Sequence, residues 1–203
     1  MVLMCNPSVL LRTSMMTLTQ YMGELMQTMI TVQGDTAFAR EWQASVDLIL
    51  ATVKNGNTVF IAGNGGSAAD AQHIAAEFVG RFKKERRSYP AIALTTDTSA
   101  LTSISNDYGF VRVFSRQLEG LGREGDLFIA ITTSGNSVNI VHACSEARKQ
   151  NMKIIGLLGN DGGLVKEFVD VALVVPSTIT AHIQEIHQQI YHSWCSAVDE
   201  LHG

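Results

Sequence analysis

The stretch "VFIAGNGGSAADAQHIAAEFVGRF", residues 59–82, decides how the rest of the chain is read. A short apolar run enters a turn with glycines at 63, 65 and 66, and a helical pattern leaves it. An unbroken apolar run without polar alternation suits a parallel strand covered on both faces. The glycines permit unusual backbone angles or the close approach of a ligand. The alanine-rich segment that follows predicts a helix over 67–80. On that helix His73 and Glu77 stand four residues apart and share one face. Such a pair can form an ordinary intrahelical hydrogen bond. It can also point into a cleft, where the carboxylate moves a proton or both groups bind a borderline metal such as zinc. The spacing leaves these roles open.

The same alternation continues downstream. Strand candidates are "TVFIA" (58–62), "PAIAL" (90–94), "DLFIAI" (126–131), "KIIGLL" (153–158) and "DVALVV" (170–175). Helices are expected over 99–105, 110–120, 137–149, 162–168 and 180–200. This pattern predicts one α/β domain, a three-layer sandwich with a five-stranded parallel sheet. Upstream, Leu18, Tyr21, Met22, Leu25 and Met26 follow a helical period over 14–31. Phe38, Trp42, Val46, Ile49 and Leu50 do so over 36–54. "QGDT" separates the two, with Gly34 at the exit and Asp35 as a cap. Residues 1–203 thus read as a single domain, with a helical region over 1–57 for packing and oligomer contacts and an α/β core over 58–203.

A second turn echoes the first. "LFIAITTSGNSVNI" also runs from apolar strand through a Gly/Ser/Asn turn into a helix. In open parallel sheets such turns lie at the carboxyl ends of the strands, where ligands bind. Thr132, Thr133, Ser134 and Ser137 bring four hydroxyls to a helix start whose free amides favour an anion. No Walker lysine follows, which disfavours a nucleoside triphosphate. A phosphomonoester needs only amides and hydroxyls around its oxygens. "GNGGSA" lacks the closing glycine of a dinucleotide fingerprint, and no ribose-binding acid ends the next strand. Asn106 and Asp107 in "SNDYGF" read as a turn that shapes the loop or meets a sugar hydroxyl. Arg81 and Arg116 are candidates to offset phosphate charge.

The last helix carries "HIQEIHQQIYHSW", residues 182–194, with His182, Gln184, Glu185, His187 and His192 as possible ligands. Gln184 and His192 lie about 12 Å apart along an ideal helix axis. Both can serve one site only through side-chain reach, helix bending or different copies of the chain.

Composition narrows the class. The chain is 46% hydrophobic and 17% charged, so it should fold. The formal net charge is -4, and the one basic cluster, "RFKKERR", contains a glutamate; no nucleic-acid partner is expected. Cys5, Cys144 and Cys195 are too scattered for a zinc pair or a disulfide framework, which suits a reducing cytoplasm. No basic segment leads into an apolar leader core, and no apolar run approaches membrane length.

Taken in order, "GNGGSAADAQHIAAEFVGRF", "TTDTSALTSISNDYGF", "TTSGNS" and "HIQEIHQQIYH" resemble the phosphoheptose isomerases of the sugar isomerase (SIS) superfamily over residues 36–200. The resemblance implies the SIS fold and conversion of sedoheptulose 7-phosphate to D-glycero-D-manno-heptose 7-phosphate for bacterial surface glycans such as lipopolysaccharide. It implies phosphate contacts from Thr132, Thr133, Ser134 and Ser137. Further substrate contacts would come from Asn64, Gly65, Gly66, Ser67, Glu77, Asn106, Asp107 and Gln184. It implies one zinc ion at His73, Glu77, Gln184 and His192, Glu77 and His192 as the acid–base pair, and no organic cofactor. It also implies a homotetramer with sites at subunit junctions, which would ease the reach of Gln184 and His192, and it implies Glu77 and His192 converging beside the phosphate. Threonine at 132 stands where the family usually has serine. Ile179 replaces an acid and His182 an arginine. The alternatives are a similar superfamily member that binds the bacterial replication initiator, and an isomerase or sensor for another phosphosugar.

Overall fold

The computed structural model describes residues 16–202; Cys5 and the start of the helix expected from 14 lie outside them. Two helices lead, α1 (Leu18–Gly34) and α2 (Thr36–Lys54). Then come β1 (Val59–Ala62), α3 (Gly66–Val79), β2 (Ala91–Ala93), α4 (Thr98–Tyr108), α5 (Ser115–Leu121), β3 (Leu127–Thr132), α6 (Val138–Lys149), β4 (Lys153–Gly159), β5 (Val171–Val175) and α7 (Thr180–Asp199). The expected helices over 110–120 and 162–168 are shorter than read: Phe110–Arg112 and Leu164–Phe168 are 3-10 turns.

The local chemistry explains the boundaries. Asp35 alone separates α1 from α2, and its carboxylate accepts the amides of Ala37 and Phe38. Thr17 and Gln20 form a reciprocal capping box at the start of α1. Asp97 caps α4 through the Ala100 amide at 2.9 Å.

All five strands are parallel, in the order β2-β1-β3-β4-β5. The chain leaves β1 towards β2 and then returns across β1 to β3. The topological reversal therefore lies between β1 and β3, where open sheets bind ligands. Strands β1 and β3 are buried on both faces, as continuous apolar runs require. The edge strands differ: Ile92 of β2 is 41% exposed, and β5 alternates buried with half-buried residues. Glu41 of α2 accepts the Ala172 amide on β5, which blunts that edge.

The two faces carry separate cores. Val59 and Ile61 join α2, α3 and α7 on one side, whereas Phe60 and Ala62 join α5 and α6 on the other. Each fully buried Leu, Ile or Phe contributes about 1.5–3 kcal/mol. Two tryptophans lock α7 to α2: Trp194 Nε1 donates to Ser45 Oγ and Trp42 Nε1 to Ser193 Oγ, both at 2.8 Å. These bonds fix the rotation of α7 and so the direction in which Gln184 and His192 point.

Helix α1 is different. None of its residues is buried. Leu25 and Met29 rest on the core, while Leu18, Met22, Met26 and Ile30 form an exposed stripe at four-residue spacing.

Candidate functional site

The β1–α3 and β3–α6 turns face each other across the reversal point. They enclose a crevice of about 290 Å³ lined by Asn64, Gly65, Gly66, Ser67, Ile131, Thr132, Thr133, Ser137, Thr180 and Gln184. Its floor is set by hydroxyls: Thr132 Oγ1 lies 3.0 Å from Ser137 Oγ and 3.4 Å from Ser134 Oγ. Ser137 occupies the N-cap position of α6, yet its side chain makes no capping bond. The hydroxyl is thus available to the crevice, beside amides that the helix itself leaves unpaired. Ser134 does not line this crevice; it borders a wider groove of about 900 Å³ with Asn160 and Ile179, and its hydroxyl accepts the Asn136 amide.

Two glycines shape the site. The Gln184 side-chain amide lies against Gly66 where a Cβ would stand, so a side chain there would displace Gln184 from its place on the crevice. Gly135 has φ +68, and a Cβ there would meet the Gly162 carbonyl. Asn64 is oriented by a reciprocal amide pair with buried Asn139, at 2.9 and 2.8 Å. The sequence reading missed Asn139 because an asparagine within a helix carries no local signal of that partner.

The imidazoles and the carboxylate gather elsewhere. His73 Nε2 lies 3.1 Å from Glu77 Oε1. The His73 and His192 rings meet edge to face with centroids 5.1 Å apart. Phe82 stacks on His192 at 5.4 Å. Tyr191 Oη lies 3.0 Å from His73 Nδ1 and 3.4 Å from Asp70 Oδ1. Burial and the neighbouring His73 lower the His192 pKa, against the pull of Glu77. Its neutral form, the one able to accept a proton, is thereby favoured. Burial raises the Asp70 carboxyl, with the Tyr191 hydroxyl and His73 opposing.

Within one protomer His73, Glu77 and His192 do not line the crevice but lie further along α3 and α7. Gly66 opens α3 and Glu77 stands eleven residues later, about 16 Å along an ideal helix axis. Gln184 packs against Gly66 at the crevice level, and His192 packs against His73 two turns on. The single chain therefore brings His73, Glu77 and His192 together, but leaves Gln184 with the phosphate-type crevice. Asn106 and Asp107 are on the last turn of α4, not in a loop; they are exposed and bonded to each other at 2.8 Å. Arg81 pairs with Glu85, and Arg116 with Glu119, on the surface.

The other histidines of α7 are packing groups. His187 is fully buried and its Nε2 lies 3.0 Å from the Leu158 carbonyl. His182 is buried against Tyr21, with ring centroids 4.7 Å apart. Ile179 holds the N-cap position of α7 with extended backbone and supplies no side-chain acceptor.

Zinc suits the chemistry of the proposed donors, since imidazole nitrogen and carboxylate oxygen are its ordinary ligands. Among the described residues of one protomer, no group of three or more His, Cys, Asp or Glu side chains is arranged to hold an ion. One ion meeting all four donors requires side-chain movement or a second copy of the chain.

Relatives agree with this architecture. A family model described as SIS domain matches residues 20–159. The phosphoheptose isomerase of a Nitratiruptor species is 60% identical over 153 residues, 75% of this chain and 82% of its own. That of Campylobacter concisus is 55% identical over 158 residues, 78% of this chain and 84% of its own. The solved structure of phosphoheptose isomerase GmhA from Neisseria gonorrhoeae superposes with TM-score 0.84 at 40% identity, covering 90% of this chain and 97% of that one. A phosphoheptose isomerase from Francisella tularensis gives TM-score 0.85 at 36% identity, with coverage of 90% and 96%. An ordered match across crevice, helices and sheet leaves one assignment: the chain belongs to the phosphoheptose isomerase family of SIS-domain proteins.

Proposed function

We propose that the protein isomerises sedoheptulose 7-phosphate to D-glycero-D-manno-heptose 7-phosphate through an enediol. The observation that carries this reading is the hydroxyl-floored crevice at the β1/β3 reversal, joined to the Glu77–His73–His192 cluster in a chain of this family.

The phosphate would rest against Thr132, Thr133, Ser134 and Ser137, at the start of α6. Asn64, Gly65, Gly66, Ser67 and Gln184 line the adjoining wall and would orient the sugar. Glu77 removes a proton from C1 of the ketose, which leaves an enediol across C1 and C2. The same carboxyl returns a proton to C2. His192 moves the proton between the C1 and C2 oxygens, so the carbonyl shifts from C2 to C1 and no external oxidant or reductant takes part. His73, hydrogen-bonded to both Tyr191 and Glu77, orients the carboxylate.

The crevice sits at the start of α3, and the acid–base cluster lies about two to three helical turns further along it in the same protomer. We assign the active centre to a subunit junction, where the crevice of one copy meets Glu77 and His192 of another. Asn106 and Asp107, exposed on α4, would touch the sugar across the same junction. The apolar stripe of α1 supplies a surface for assembly into a homotetramer. Zinc would be held by His73, Glu77, Gln184 and His192 and, when bound, would polarise the sugar oxygens as a Lewis acid. No helix among the described residues is long and apolar enough to cross a membrane, and the described cysteines Cys144 and Cys195 are free and buried. A cytoplasmic setting suits both facts.

Incubation with a panel of sugar phosphates, following aldose formation, tests the reaction. Turnover of the seven-carbon ketose supports it; turnover of a six-carbon ketose alone corrects the substrate. Stripping metal and restoring zinc, with calorimetry alongside the rate, tests the ion. Stoichiometric zinc binding lost in Glu77→Gln is the expected result, and undiminished binding by that variant removes Glu77 from the ligand set.

A further inference from the structure

Helix α3 ends beneath the 80–90 loop, and its last carbonyls have no partner within the helix. Arg86 supplies one. Its Nη2 donates to the Glu77 carbonyl at 2.6 Å, and its Nη1 to the carbonyls of Phe78 at 3.0 Å and Arg87 at 2.9 Å. Its Nε donates to Asp199 Oδ1 at 2.9 Å. Asp199 is the last residue of α7, and its second oxygen accepts the amides of Lys83 and Lys84 at 2.7 and 2.9 Å. The two side chains are 1% and 2% exposed. Phe82 lies just before the pinned amides, and its ring is the one stacked on His192. A buried ion pair is weak evidence for stability, because desolvation offsets most of the attraction. Its forked hydrogen bonds instead fix one helix end against another.

Resting on the isomerase reading above, we propose that Arg86 and Asp199 are positioning residues for turnover. Their pair ties the end of the helix that carries Glu77 to the end of the helix that carries His192, and holds Phe82 on the His192 ring. Neither residue touches the crevice. Their effect reaches the reaction through the placement of the acid–base pair, where a shift of about 1 Å costs about a hundredfold in rate.

Arg86→Lys keeps a charge beside Asp199 but cannot reach the Glu77 and Phe78 carbonyls together. It should lower kcat about 10- to 100-fold and leave KM within about threefold, because the phosphate crevice is at the other end of α3. Asp199→Asn should act in the same direction. Glu200→Gln removes an exposed 2.6 Å contact to Lys84 next door and should leave kcat unchanged. The second readout is independent of substrate: stacking on Phe82 should place the native His192 ring protons upfield in NMR, and they should move towards unstacked values in Arg86→Lys. An unreactive native protein refutes the substrate reading, while the ring signal still decides the clamp. Should Arg86→Lys not fold, Phe82→Leu leaves the ion pair whole and should show the same fall in kcat at constant KM. Native kcat with an unshifted ring signal in the variants overturns the proposal. So does a loss of activity that only matches a loss of folded protein or appears wholly in KM.

Discussion

Replacing Thr132 with valine isolates the crevice's hold on phosphate. The two side chains have nearly the same shape, and Thr132 is 3% exposed, so packing is preserved. The change deletes one hydroxyl, which lies 3.0 Å from Ser137 Oγ on the crevice floor. A hydrogen bond to a charged group contributes about 1.5–3 kcal/mol. Lost from a phosphate dianion, that corresponds to about a 10- to 150-fold weaker fit. The phosphate is remote from C1 and C2 and is held equally in ground and transition states. The loss should therefore appear in KM, with kcat at saturating ketose changed by less than about threefold. Inorganic phosphate, used as a competitive inhibitor, should weaken by the same factor as KM. Initial rates over a wide range of ketose concentration read both numbers. An unchanged KM, or a fall confined to kcat, would refute the hydroxyl turn as the phosphate seat.

Other perturbations follow from particular contacts. Ile179→Asp gives α7 the side-chain cap it lacks, and thermal melts should rise by an amount corresponding to about 0.5–2 kcal/mol; an unchanged melt would mean the N-cap is satisfied in another way. Burial lowers the His187 pKa from 6.5 to about 4, with the Leu158 carbonyl opposing. Between those values the unfolded chain takes a proton that the folded chain refuses, so stability falls as pH drops through that window. His187→Gln keeps a donor for Leu158 and removes this loss, which paired melts inside and above the window would detect. For Asp199, burial pushes the carboxyl up, but the Lys84 and Lys83 amides and Arg86 outweigh it and leave its pKa below 3.8. Its contribution is full above the unfolded value and is lost as pH falls through the folded one, so the acid limb of the melting curve should flatten in Asp199→Asn. Lysine at Met22 and Met26 charges the exposed α1 stripe; sedimentation should then show smaller species, and an unchanged mass would place the interface elsewhere.

Much of this was legible in the chain. Strands such as "DLFIAI" have no polar alternation, and burial on both faces followed. The two Gly/Ser/Asn turns come together because β1 and β3 are neighbours, a pairing suggested by their likeness. Asp35 was readable as a cap because a short acidic side chain between two periodic segments has few other uses. Asn106 and Asp107 were misplaced because turn-forming residues also occur in the last turn of a helix, and here α4 runs on to Tyr108. Phe82, Arg86, Tyr191 and Asp199 gave no warning. Their roles depend on contacts more than a hundred residues away in sequence, and "RFKKERR" looks like a solvated surface until Arg86 is seen beneath it. The i,i+4 pairing of His73 with Glu77 was evident, but its separation from the crevice required the packing of α7 on α3.

Hybrid oligomers give the most direct test of a catalytic centre shared between copies. Ser137→Asp keeps a capping residue at the start of α6 and sets a negative charge against the phosphate; Glu77→Gln removes the base. Each alone should be inactive. Co-expressed in equal amounts and purified as mixed oligomers, they should recover about one quarter of native activity, since half the crevices and half the acid–base clusters are intact and pair at random. Mixed oligomers no more active than either parent would contradict a site built from the crevice of one copy and Glu77 of another.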